Sequence, residues 1–77
     1  MVQALVLISA EPGRDRSVAT KVKALGEVKQ VYLVSGLYDV VAEIQAADAT
    51  AVLALVYDKI RAIDDIRETQ TMFCLKV

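Results

Sequence analysis

Val31-Tyr32-Leu33-Val34-Ser35-Gly36-Leu37-Tyr38-Asp39-Val40-Val41-Ala42-Glu43-Ile44-Gln45-Ala46 contains two strand patterns separated by a turn. From Asp39 to Ala46 the alternation is clean. Val40, Ala42, Ile44 and Ala46 fall on one face, and Asp39, Val41, Glu43 and Gln45 on the other. A period of two is the signature of a strand with two unlike faces. Upstream, Glu27 to Ser35 reads as a second strand. Strict alternation puts Val28, Gln30, Tyr32 and Val34 on one face and Lys29, Val31, Leu33 and Ser35 on the other. Gly36 permits a turn with dihedrals closed to other residues. The short spacing makes the two strands an antiparallel hairpin.

On the N-terminal side, Val2-Gln3-Ala4-Leu5-Val6-Leu7-Ile8 is short, apolar and partly β-branched, and Glu11-Pro12-Gly13 ends it. A helical pattern begins at Arg14 or Asp15. Val18, Val22 and Leu25 stand at i, i+4 and i+7, and Gly26 follows in the place of a C-terminal cap. After the hairpin, Asp48 is a good N-cap for a helix running to about Arg61, and Ile66 to Leu75 reads as a last strand. The order is β-α-β-β-α-β, the ferredoxin-like arrangement of the α+β class. Residues 1–77 form one domain, with both helices on one face of a four-stranded antiparallel sheet.

The opposite face should be polar if water covers it. Here both faces are apolar. Ala4, Val6 and Ile8 oppose Leu5 and Leu7; Val31 and Leu33 oppose Tyr32 and Val34; Met72 and Cys74 oppose Phe73 and Leu75. Hydrophobic residues make up 56% of only 77, too many for so small a core. The surplus predicts a homodimer packed sheet to sheet.

Other classes are disfavoured. The net charge is −1 with scattered basic residues, so no direct nucleic-acid contact is expected. No apolar run is long enough to span a membrane, and the expected compartment is the cytoplasm. There is no His, and Cys74 is the single cysteine, reading as a small hydrophobe. The usual zinc sites and nucleophile–His pairs are therefore excluded, and no metal or cofactor is expected. Asp64-Asp65 reads as a solvated turn, and Glu43 as an ion-paired or interface residue. Asp39 reads either as a turn-stabilising acceptor of backbone N–H groups or as a ligand-binding carboxylate.

The run Val31 to Val41 resembles the hallmark of the effector-binding domain of the Lrp/AsnC (feast/famine) transcriptional regulators: a Val-Tyr pair, a strand, then Gly-x-x-Asp opening the next. Glu11-Pro12-Gly13, Glu27-Val28 and Thr69-x-Thr71 fall in the order that family shows. Asp64-Asp65-Ile66 replaces its frequent Gly-Val, and Leu37 replaces a position that is often polar. The chain lacks residues for a helix-turn-helix, so it resembles the stand-alone (RAM) form.

The resemblance implies dimers that assemble into octamers or decamers, with an amino-acid effector between dimers. The hairpin residues Ser35, Gly36, Leu37, Tyr38 and Asp39 would hold the amino-acid head group. Thr69, Thr71 and Met72 of a neighbouring dimer would close the pocket. The implied partner is an Lrp/AsnC regulator with its own helix-turn-helix. Alternatives that share the fold are a small monooxygenase or isomerase and an ACT-type regulatory domain.

Overall fold

A computed structural model describes all residues, Met1–Val77. The elements are β1 (Val2–Ala10), α1 (Asp15–Lys23), β2 (Val28–Leu33), β3 (Val40–Ala46), α2 (Ala49–Leu55) and β4 (Ile66–Cys74). A π-helical turn, Val56–Ile60, continues α2. The sheet is antiparallel throughout, in the order β2-β3-β1-β4. This is the expected ferredoxin-like βαββαβ topology.

The core lies between one sheet face and the helices. Ala4, Val6, Ile8 and Ala10 of β1 and Val40, Ala42 and Ile44 of β3 are buried there. Against them pack Val18 and Val22 from α1, Val52 and Leu55 from α2, and Val56 and Ile60 from the π turn. Every buried residue is apolar. The packing therefore rests on area removed from water, about 25 cal/mol per Å².

Local chemistry sets the helix ends. Asp48 Oδ1 accepts the Ala51 N–H at 2.8 Å and caps α2. In α1, Asp15 stands in the first turn and Lys21 and Lys23 in the last, complementing the helix dipole. The C-cap of α1 is Ala24, not the expected Gly26; its N–H bonds back to Thr20 O, leaving Gly26 in the connecting turn. The stretch to Arg61 is not one regular helix. Arg61 N–H reaches back five residues to Val56 O at 2.8 Å, and the extra residue of the wide turn brings Ile60 into the core. On this turn Lys59 Nζ donates to Glu27 Oε2 at 3.1 Å, holding the Glu27 carboxyl below its usual range.

Two bulges change the strand faces. In β2, Val28 pairs with Ile44 but Gln30 with Glu43, so Lys29 is an extra residue. Val28 therefore joins Val31 and Leu33 on the helix side, whereas strict alternation had placed it with Tyr32. In β4, Ile66 pairs with Ala10 and Glu68 with Ser9, making Arg67 the extra residue.

Asp65, at the turn into β4, has a φ of 72°, in the left-handed region, while its carbonyl accepts the Glu11 N–H at 2.8 Å. A branched Cβ is strongly disfavoured there. Asp65→Val is expected to lower stability by about 1–2 kcal/mol and Asp65→Gly to leave it equal or higher. Urea melts of the two variants check this, and equal midpoints would refute it.

Candidate functional site

β2 ends at Leu33 and β3 begins at Val40, so Val34 to Asp39 form the hairpin loop. Gly36 has a φ of 115°, and a Cβ on it would meet no atom within 4 Å. Its backbone conformation, and not crowding, is what calls for glycine. Ser35, Gly36 and Leu37 are exposed, with Leu37 at 94%. Of the loop N–H groups, Val34 donates to Asp39 O and Asp39 to Ile8 O, both at 2.9 Å. Those of Ser35, Gly36, Leu37 and Tyr38 donate to no backbone carbonyl or protein side chain. Four successive donors are thus open at the tip.

Asp39 is half-buried and ties the loop to β1. Its Oδ2 accepts the Ala10 N–H at 2.8 Å. Ala10 extends past Ile8–Val40, the last β1–β3 pair, so the carboxylate replaces a missing strand partner. The acceptor reading of Asp39 therefore holds, but its donor lies 29 residues away and not in its own turn. Oδ1 accepts no protein hydrogen bond and stays free. Tyr38 Oη donates to Gln70 Oε1 at 2.7 Å and anchors the loop to β4 across the open face.

That open face carries Leu5 and Leu7 of β1, Val41 of β3, Tyr32 of β2 and Met72 of β4. Tyr32 is 51% exposed and Met72 41%. Gln3 Nε2 donates to Glu43 Oε2 at 2.8 Å among them. Thr69 and Thr71 pair with Ile8 and Val6 and so turn to the helix side, whereas Met72 pairs with Leu5 on the open side. One chain thus brings Ser35 to Asp39 together but does not join Thr69, Thr71 or Met72 to them. Gln70 is the residue that sequence reasoning missed. Its parity with Met72 and Cys74 was the available signal.

No group of three or more Cys, Asp or Glu side chains is placed to hold a metal ion. No helix is long and apolar enough to cross a membrane.

A family model for the Lrp/AsnC ligand-binding domain matches residues 3–77. The chain belongs to the Lrp/AsnC family. It is 33% identical over 78 residues to the HTH-type transcriptional regulator YugG of Bacillus subtilis, an alignment covering 97% of this chain and 47% of YugG. The chain spans about half the length of the curated relatives it matches. Among solved structures, FFRP-DM1 superposes with a TM-score of 0.90 at 32% identity, covering 97% of this chain and 100% of that one. A feast or famine regulatory protein from M. tuberculosis, complexed with L-methionine, shares the fold with a TM-score of 0.84 at 24% identity, covering 100% of this chain and 52% of its own.

Proposed function

We propose that this Lrp/AsnC domain binds a free amino acid at the hairpin and transmits occupancy through its oligomeric assembly. The observation that carries this reading is the pairing of four open N–H groups, Ser35 to Tyr38, with the free Oδ1 of Asp39. A zwitterion needs both: N–H donors for its carboxylate and an anionic acceptor for its ammonium. The L-methionine complex of the structural relative supports the ligand class. Thr69, Thr71 and Met72 would reach the site from a neighbouring dimer, in an octamer or decamer of sheet-packed dimers. The domain acts by binding and not by catalysis. Its natural partner is an Lrp/AsnC regulator that carries its own helix-turn-helix in the cytoplasm, and the domain itself makes no nucleic-acid contact.

Titration calorimetry across the amino acids, starting with L-methionine, tests the site. Asp39→Asn keeps an oxygen for the Ala10 N–H but loses the charge. It is expected to weaken binding about ten- to a hundredfold with little change in melting temperature. Asp39→Ala also strands the Ala10 N–H and is expected to lose about 1–3 kcal/mol of stability. Unchanged affinity in Asp39→Asn would remove the carboxylate from the site.

A further inference from the structure

A cavity of about 380 Å³ opens on the far side of the sheet from the hydrophobic open face, between α1 and the free edge of β2. Its lining is Arg16, Ala19, Thr20 and Lys23 from α1 and Val31 and Leu33 from β2. The floor is apolar and the rim is cationic. The ion pair in the chain is Lys59 with Glu27, and neither Arg16 nor Lys23 has a carboxylate partner.

The backbone beside this groove is also unpaired. β2 is an edge strand, bonded to β3 on one side alone. Val34 donates to Asp39 O, so Val34 and Tyr32 direct their backbone groups toward β3. By the alternation of an antiparallel ladder, Val31 and Leu33 direct their N–H and C=O groups outward. The same two residues thus supply the groove floor and the open hydrogen-bonding edge. Lys29, at the bulge, interrupts the edge at its other end.

We infer that this groove accepts an extended peptide segment that adds a strand to β2, with an apolar residue between two acidic ones on its groove side. The peptide backbone pairs with Val31 and Leu33, the mode in which main-chain bonds give affinity and alternate side chains give specificity. Spacing selects the pattern. Arg16 and Lys23 are seven residues apart on α1, about 10 Å at 1.5 Å per residue. Same-face positions on a strand repeat every ~6.6 Å. Acidic side chains at the first and fifth positions, about 13 Å apart, meet the two flexible cations, and the third position seats an apolar side chain on Ala19, Val31 and Leu33. A neutral or basic segment leaves two cations unpaired, so charge complementarity selects the acidic one. Nothing in this reading depends on the hairpin site.

Fluorescence anisotropy with labelled acetyl-Glu-Thr-Ile-Thr-Glu-amide tests the proposal on the intact protein, with hydrogen exchange as the second readout. The peptide is expected to bind and to slow exchange in residues 30–34. Three further results are expected. Arg16→Glu with Lys23→Glu weakens binding about tenfold or more. That double variant binds the Lys-Thr-Ile-Thr-Lys counterpart better than the wild type does, a rescue that misfolding cannot produce. A peptide N-methylated at its three groove-side residues fails to bind. Equal binding by the double variant, undiminished binding of the N-methylated peptide, protection confined to the open sheet face, or equal protection by octanoate alone would each overturn it. So would a β2 edge already protected in a concentration-dependent way, which would give the groove to a second copy of the chain.

Discussion

Leu5→Lys is expected to reduce the light-scattering mass of the protein to that of a single chain while leaving it folded. Leu5 sits on a central strand of the open face, directly opposite Glu43 on β3 and Met72 on β4. In the isolated chain a lysine here faces water and the Glu43 carboxylate, and an opposite-charge cross-strand pair is mildly stabilising. In a sheet-to-sheet dimer the lysine and the Glu43 carboxylate beside it lose their water, once in each copy. Taking two charges out of water costs several kcal/mol per ion, more than their mutual attraction returns. A loss of at least about 4 kcal/mol corresponds to roughly a thousandfold in dissociation constant. The conservative Leu5→Met should keep the assembly. Light scattering at matched concentrations decides the matter: an unchanged mass for Leu5→Lys, or a monomeric wild type, would show that this face is not the contact.

The second large effect concerns the core. Ile44→Ala is expected to lower stability by about 2–5 kcal/mol, because the methyl and ethyl groups removed are fully enclosed and leave a cavity. Ile44 lies on β3 between Ala4 of β1 and Val28 of β2. The small alanine on one side cannot move to fill the space. For a domain of this size each kcal/mol moves the melting point by about 4–8 °C, so the variant should melt about 8–40 °C lower. Ile44→Val, which removes one methylene, should cost about 0.5–1.5 kcal/mol. Thermal melts by circular dichroism at one protein concentration measure both, since assembly makes the melting point concentration-dependent. A melt of Ile44→Ala superposing on the wild type would contradict this packing.

These two predictions divide the apolar surplus of the sequence between two places. The helix-covered face takes Ala4, Val6, Ile8, Val40, Ala42 and Ile44 into a core that one chain completes. The other face leaves Leu5, Leu7, Val41, Tyr32 and Met72 with no layer of the same chain above them. Both sets were legible because the parity of side chains along a strand is a local property. The N-cap at Asp48 was legible for the same reason, its acceptor and donor lying three residues apart.

The candidate site was legible only in part. Gly36 and Asp39 stand out because a turn needs the one and the other suits its flank. That Asp39 accepts a backbone N–H was legible, but which one was not. Its Oδ2 serves Ala10, while its Oδ1 accepts no hydrogen bond from the chain. Gln70 became part of the loop's support only through Tyr38, 32 residues away in the chain. The groove under α1 was invisible for a related reason. Arg16 and Lys23 are two of the scattered basic residues of the sequence, and only the placement of β2 beside them, with an unpaired edge, sets them on one rim.

Local pattern was enough to establish the order of elements, the two-sided apolar character of the sheet and the position of the hairpin. Each follows from periodicities and turn residues that act within a few positions. The register came from contacts between distant strands. Tertiary packing placed the extra residues Lys29 and Arg67 in bulges, moved Val28 to the helix side of the sheet and widened the turn that buries Ile60. It also brought the Asp39 carboxylate to the end of β1. One cause underlies all of these. A bulge, a π turn or a long-range hydrogen bond is selected by the partner strand or helix that it satisfies, and that partner is distant in the chain.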